Sequence, residues 1–136
     1  MGVMDTMKSK YTPIAWTNPT TNATYTQGQM LQLGNDNVIG FLAQAVGTSG
    51  AATSNTYPNG PRGTFIYKAE SVELAKETGT GQSFTALDQV YYSTANAELT
   101  TDATDNVLCG IALETVGTLA TSVRIDFDGV VAILSA

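Results

Sequence analysis

The sequence predicts an all-β protein, and three observations carry that prediction. Its apolar runs are too short for free-standing helices and are separated by turns rich in Ser, Thr, Asn, Asp and Gly. In the last clear run, Val123, Ile125 and Phe127 alternate with charged residues, as in a strand buried on one face. A short motif also recurs in the two halves of the chain. We therefore expect a small antiparallel β-barrel or sandwich, tulip-like in shape, with a pseudo-twofold internal repeat and at most one short helix.

The length and composition of the chain limit what it can be. At 136 residues it is long enough to bury a core without disulfides or metals, and it contains one cysteine and no histidine. We divide it into an extended N-terminal arm, residues 1–16, and one β domain, residues 17–136. Its net charge of -6 lacks the basic footprint of a nucleic-acid-binding protein. No stretch approaches the ~20 apolar residues of a membrane-spanning helix, so neither nucleic acid nor membrane is an expected partner.

The first segment admits two interpretations. Tyr11, Pro13, Ile14 and Trp16 place bulky apolar groups in an extended, proline-marked stretch. It is either a first strand that packs on the domain's own core or an arm that orders only against a partner, for which Trp and Tyr are favoured anchors.

The remaining elements are predicted from apolar runs and turn chemistry. A tight turn at residues 35–37 joins the first two strands of the domain, and residues 48–63 read as a long surface loop with its tip near Tyr57 and Pro58. In residues 64–76 the apolar phase slips near Glu70, which indicates a β-bulge or a kink. A helix over residues 69–77 is the alternative there. The predicted strands are residues 24–33, 38–46, 64–76, 87–92, 97–99, 107–113, 122–127 and 130–134.

The recurring motif joins a turn to the strand that follows it. Residues 36–40, followed by 46–48, are echoed by residues 105–110, followed by 116–118. Two copies are too few for a solenoid. They predict that each half of the domain supplies a similar hairpin to one barrel or sandwich.

The sequence contains few residue patterns that are typical of catalytic or metal-binding sites. Without histidine the usual nucleophile–histidine–carboxylate triads are excluded, and zinc lacks its common ligands. Asp126 and Asp128, like Asp102 and Asp105, do not fit the spacing of a calcium loop. Cys109 lies in an apolar run and is expected to be buried. We expect no enzyme, no cofactor and no metal site.

The second half of the chain resembles a known family. The segments are Leu-Asp-Gln-Val-Tyr-Tyr at 87–92, Ala-Glu-Leu-Thr-Thr at 97–101, Asn-Val-Leu-Cys-Gly-Ile-Ala-Leu-Glu at 106–114 and Ser-Val-Arg-Ile-Asp-Phe at 122–127. In this order they are similar to the small bacteriophage capsid decoration (cement) proteins, a domain of unknown function sometimes mislabelled as phage recombinase. The corresponding family patterns are Gly-Asp-x-Val-Tyr-Trp, Leu-Ile-Gly-Val-Ala-Leu-Glu and Val-Arg-Val-x-Leu. Residues 65–76 are similar to the family's preceding Gly-Val-Phe-Glu-Leu-Pro-Lys segment. The resemblance covers about residues 24–128, and it departs from the family at Leu87 for Gly, Tyr92 for Trp and Ala75 for Pro.

The resemblance implies a structural virion protein that is made in the bacterial cytoplasm and attaches to the outer surface of a phage head. Such proteins clamp adjacent major capsid subunits and stabilise the expanded capsid, often as homotrimers, so a trimer is favoured over a dimer. The predicted capsid contacts are Tyr11, Pro13, Ile14 and Trp16 on the arm, with Tyr57, Pro58 and Arg62 as further contacts from the loop.

An alternative from another class is a receptor- or carbohydrate-binding module on a phage head or tail fibre. It would use Tyr57, Trp16 and the exposed loops as a stacking surface.

Overall fold

Eight β-strands make up the regular structure of the described part of the chain. The computed structural model describes residues 11–34, 38–51 and 53–130, and no helix occurs in those ranges. The strands are β1 (Tyr11–Thr17), β2 (Met30–Leu33), β3 (Val38–Leu42), β4 (Arg62–Ala75), β5 (Gln89–Ser93), β6 (Glu98–Thr100), β7 (Val107–Ala112) and β8 (Ser122–Asp128). The predicted all-β fold is confirmed.

The strands form one antiparallel sheet in the order β2-β3-β4-β8-β7-β5-β6, and β1 pairs with β4 outside that path. β4 is central because it is long enough to pair with three strands. Ile66 pairs with both Pro13 of β1 and Phe41 of β3, so β1 and β3 flank opposite edges of β4. A parallel bridge between Leu99 and Lys76 brings β6 back to the end of β4, and the sheet forms a nearly closed barrel.

A bulge interrupts β4 where the apolar phase slips. The register with β8 shifts between Ala69 and Val72, so that Glu70 and Ser71 together oppose the single residue Asp126 and β4 carries one extra residue there. Both Ala69 and Val72 stay buried on the core face. The bulge prediction is therefore confirmed, and the alternative helix over residues 69–77 is wrong, because β8 completes the backbone hydrogen bonds of this stretch.

Two strands are shorter than predicted. Of residues 24–33 only Met30–Leu33 are strand, because the chain turns at Gly28, whose φ is 82°. Of residues 38–46 only Val38–Leu42 are strand, and Val46 makes an isolated bridge with Tyr25. The predicted turn at residues 35–37 lies outside the described residues. So does the predicted strand at 130–134, apart from Val130, which bridges to Val38.

The internal repeat is visible in the backbone hydrogen bonds. The amide of Gly28 donates to the carbonyl of Leu42 (2.7 Å), and the amide of Leu87 donates to the carbonyl of Ala112 (2.7 Å). The Tyr25–Val46 bridge of the first half corresponds in the same way to a bridge between Phe84 and Val116 in the second. β2 and β3 thus correspond to β5 and β7, as the recurring motif predicts.

The buried apolar residues of the described ranges form two clusters. The main cluster fills the barrel and includes the inward face of β8, where Val123, Ile125 and Phe127 are at most 1% exposed, as predicted. Full burial of each such side chain contributes about 1.5–3 kcal/mol. The second cluster packs on the other face of β3 and the start of β4. It consists of Leu42, Val46 and Phe65, with Trp16, Tyr25, Leu31, Leu33, Val38 and Tyr67 packed against them.

Candidate functional site

The strand β1 lies at an edge of the sheet. Within the described ranges only β4 pairs with it, through a register that runs from Tyr11–Ala69 to Thr17–Arg62. The register shifts between Thr12 and Pro13. Proline cannot donate a ladder hydrogen bond and is therefore confined to edges and bulges. One backbone edge of β1 thus faces outward.

Two apolar side chains of β1 are exposed. Tyr11 is 43% exposed and Ile14 is 54% exposed, and Pro13 between them is exposed as well. A single exposed apolar residue is ordinary on a protein surface. Here the exposed group lies on a strand whose outer edge has no described partner, which is the arrangement of a strand that can bind another chain.

Trp16 has a different environment from Tyr11 and Ile14. Its ring meets that of Tyr25 edge to face, with ring centroids 5.4 Å apart and planes at 78°. Trp16 is half-buried against the second cluster. Of the two interpretations of this segment, the structure shows a strand that packs on its own domain, with Trp16 turned to the core side.

The loop between β3 and β4 is folded down on the body of the domain. The amide of Tyr57 donates to Ser54 Oγ (2.9 Å), and the Tyr57 carbonyl accepts from the amide of Gly60 (2.8 Å). Gly60 in turn accepts from the amide of Gly47 (3.0 Å). Tyr57 is half-buried, whereas Pro58 and Arg62 are exposed.

The arm and the loop meet on one surface. Tyr11, Pro13 and Ile14 border one shallow depression, and Pro58 and Arg62 border a second. Gln44 and Thr64 line both depressions. We call this continuous area the arm–loop surface. It contains five of the seven predicted contact residues, and Trp16 and Tyr57 are the two that do not border it.

A residue that the sequence did not single out holds the arm–loop surface together. Asn18 is fully buried at the end of β1. Its Nδ2 donates to the carbonyls of Ala23 (2.8 Å) and Gly47 (2.9 Å), and its Oδ1 accepts from the amide of Thr20 (3.0 Å). Its own amide donates to the carbonyl of Pro61 in the loop (2.9 Å). Its sequence signal is its place at the start of the turn-forming run Asn-Pro-Thr-Thr-Asn at 18–22.

Lys76 is a second residue that the sequence did not reveal. It is 2% exposed, and its Nζ donates to the carbonyls of Glu77 (2.7 Å) and Ala120 (2.9 Å). Burial lowers the pKa of this amine. The side chain ties the link between β7 and β8 to the end of β4, which is a structural role.

Two further titratable groups of the described residues have shifted pKa values. Cys109 is fully buried, as predicted, and burial raises the pKa of its thiol. The pKa of Asp126 is raised by partial burial and by the charges of Glu70 and Asp128. Among the described residues no group of three or more Asp, Glu, His or Cys side chains could hold a metal ion. No helix in the described ranges is long and apolar enough to cross a membrane.

Comparison with known proteins gives one match. The family model described as phage cement protein matches residues 9–127, which include all eight strands except the last residue of β8. No curated protein and no solved structure matches the chain significantly.

Proposed function

The chain belongs to the phage cement protein family, and from that premise we propose that it binds the outer surface of a phage head and clamps adjacent major capsid subunits. Membership makes it a structural, virion-associated protein of a family that associates with the capsid. Beyond family membership, we propose the clamping role, the stabilisation of the expanded capsid and the surface of this protein that makes the contact.

The observation that carries the choice of surface is the exposed edge strand. β1 presents a backbone edge with which no described strand pairs, together with the exposed side chains of Tyr11 and Ile14. A strand or extended loop of a capsid subunit can add to such an edge, with main-chain hydrogen bonds giving affinity and side-chain pockets giving specificity. Pro58 and Arg62 across the shared depressions would then contact a second part of the capsid, which is what a clamp requires.

We propose a homotrimer as the form that binds, with a dimer as the alternative. The support is an apolar patch on the other half of the domain, where Leu87, Ile111 and Leu113 are 76%, 43% and 40% exposed. The three residues are neighbours, because the amide of Leu87 donates to the carbonyl of Ala112 (2.7 Å), which stands between Ile111 and Leu113 in the chain. Joining several copies would multiply modest capsid contacts into strong attachment.

The receptor- or carbohydrate-binding alternative has no specific observation in its favour. Both rings that it would use, Trp16 and Tyr57, are half-buried against their own domain. Half-burial reduces the ring surface that either residue could offer for stacking on a sugar.

The test uses purified expanded capsids that lack the protein. We expect the wild type to co-sediment with them and to raise their resistance to heat, and we expect Ile14→Asp to lose most of the binding because it places a charge in the contact. The matched control is Leu119→Asp, a charge at a residue that is 83% exposed in the link between β7 and β8. If the wild type does not bind, the clamping role is wrong. If Ile14→Asp binds as well as Leu119→Asp does, the arm–loop surface is the wrong contact.

A further inference from the structure

Charge is distributed unequally along the chain. Residues 1–69 carry two acidic and four basic side chains, whereas residues 70–136 carry ten acidic and two basic ones. The first part is therefore net positive and the second strongly net negative. The two acids of the first part, Asp5 and Asp36, lie outside the described residues. An asymmetry of this size gives the two parts of the molecule different electrostatic potentials.

The arm–loop surface belongs to the positive part. The boundary between the two parts falls at the bulge of β4, so that β1, β2, β3 and the start of β4 precede it. The described residues that border the two depressions include no acidic side chain, and Arg62 is the one charged residue among them. An anionic group that enters this surface would therefore meet no negative charge from its described lining.

The guanidinium of Arg62 is available to such a group. Arg62 is exposed, and neither an ion pair nor a side-chain hydrogen bond joins it to any residue that the structure describes. A guanidinium is planar and always charged, and it can donate two parallel hydrogen bonds to one carboxylate. Arg62 therefore offers a binding group for a carboxylate.

The backbone at Arg62 is fixed by hydrogen bonds before any partner arrives. The amide of Arg62 donates to the carbonyl of Asn59 (3.2 Å), and the carbonyl of Pro61 accepts from the amide of the buried Asn18 (2.9 Å). Arg62 also pairs with Thr17 at the end of β1. This fixed position lowers the entropic cost of binding.

The depression beside Arg62 is lined by groups suited to a carboxylate. Its volume is about 520 Å³, and Gln44, Thr53, Asn59 and Thr64 border it. Their amide and hydroxyl groups are neutral hydrogen-bond donors. We propose that this depression binds a carboxylate side chain of the capsid, with Arg62 as the charged donor. The inference rests on the proposed function and adds that the second part of the clamp contact is acidic.

The charge asymmetry also sets the orientation of the protein. An acidic capsid site repels the part of the chain after the bulge, which turns the arm–loop surface toward the shell. A basic capsid site would instead attract residues 70–136. The exposed side chains of Tyr11 and Ile14, and the edge of β1 that no described strand covers, lie in the other part.

The first experiment measures the affinity of the full-length protein for purified expanded capsids that lack it. We expect Arg62→Gln to weaken binding about tenfold, because it removes the charged donor. Arg62→Lys should weaken binding less, because it keeps the charge. The matched control is Ala103→Asp, which makes the same change in net charge at an exposed site after the bulge and should bind as the wild type does.

The second experiment identifies the anion on the capsid. Capsid carboxylates are converted to neutral amides with a carbodiimide and glycine methyl ester. We expect this treatment to weaken binding of the wild type about tenfold and to have much less effect on Arg62→Gln. Thermal unfolding of Arg62→Gln at the wild-type temperature excludes loss of the fold as the cause.

The outcomes separate this inference from the clamping role. If Arg62→Gln binds untreated capsids as tightly as Ala103→Asp does, the carboxylate site is wrong and the clamping role stands. The same conclusion follows if amidation weakens the wild type and Arg62→Gln by equal factors. If the wild type does not bind untreated capsids, the clamping role and the carboxylate site are both wrong.

Discussion

Leu87 and Gly28 occupy the same turn position in the two repeated hairpins, and both have positive φ, 78° and 82° respectively. The amide of Gly28 donates to the carbonyl of Leu42 in β3, and the amide of Leu87 donates to the carbonyl of Ala112 in β7, both at 2.7 Å. Positive φ suits glycine and is unfavourable for residues with a Cβ. The first repeat has the residue that the backbone requires, and the second repeat holds a leucine there under strain.

We therefore expect Leu87→Gly to stabilise the protein. Relief of the left-handed conformation is worth about 1–2 kcal/mol, and the greater flexibility of glycine in the unfolded chain removes part of that gain. The net increase in the free energy of unfolding should be about 0.5–1 kcal/mol, measured by urea denaturation. Little burial is lost, because Leu87 is 76% exposed. Gly28→Ala is the matched reverse change and should destabilise. Equal stability of Leu87→Gly and wild type would contradict the strain.

Asn18 should be the polar side chain whose loss most disturbs the arm–loop surface. Asn18→Ala removes the donor to Ala23 and Gly47 and leaves those carbonyls without that partner. We expect a loss of about 1–3 kcal/mol in the free energy of unfolding and weaker capsid binding by the remaining folded protein. Asn22→Ala, at an exposed position in the same turn region, is the control and should change stability by less than about 0.5 kcal/mol. Similar losses of stability in the two variants would show that the buried hydrogen bonds of Asn18 do not stabilise the fold as proposed.

Truncation should separate residues 1–10 from β1. We expect removal of residues 1–10 to leave the thermal unfolding midpoint unchanged, since β1 and its partner β4 stay intact. Removal of residues 1–16 should lower the free energy of unfolding by about 2 kcal/mol or more, because it takes Trp16 from the second cluster and uncovers an edge of β4. A protein that lacks 1–16 and unfolds at the wild-type temperature would show that β1 is an accessory arm after all.

Asp126 should make stability depend on pH. Its pKa is raised in the folded protein by partial burial first, and then by Glu70 and Asp128. An acid whose pKa is raised on folding favours the folded state below its ordinary pKa of 3.8 and loses that contribution as pH rises through the folded value. Asp126→Asn should therefore be slightly more stable than wild type at neutral pH, and the difference should vanish below about pH 3.8.

The control for Asp126→Asn is Asp105→Asn, the same loss of charge in an exposed turn, where φ is 59° and both residue types are tolerated. Thermal unfolding of the variants across the acid range provides the measurement. A gain for Asp126→Asn that is the same at acid and neutral pH would show that its charge is not the cause.

The sequence predicted the strands best where one face alone is buried. Val123, Ile125 and Phe127 alternate with polar residues, so their period is visible in the sequence and their burial follows from it. Strand boundaries were predicted worst where the backbone departs from this two-residue alternation. Leu87 was expected in a strand, but it lies in a turn, because a leucine gives no sign that its φ is positive. Lys76 also looks like a surface residue in the sequence, and only the carbonyls around it make its burial possible.

The residues of the arm–loop surface can be recognised along the sequence, but their arrangement in space cannot. The apolar character of Tyr11 and Ile14 and the turn chemistry of the loop are local properties that can be read along the chain. Their meeting depends on the pairing of Trp16 and Thr17 with Gly63 and Arg62. That pairing joins segments far apart in sequence and is set by tertiary packing. For the same reason the sequence could not show that Trp16 would turn toward Tyr25.

β4 has a mechanical consequence, because one continuous strand of 14 residues joins the edge strand to the barrel. Its first part holds β1 and its second part holds β8. Antiparallel hydrogen bonds lie perpendicular to the strands, so a pull along β1 loads the whole β1–β4 ladder in shear, and its bonds must break together. A pull perpendicular to β1 would instead peel the bonds away one at a time. If the protein is held along β1 as we propose, it should therefore resist tension in the direction of that strand far better than a force that lifts it outward.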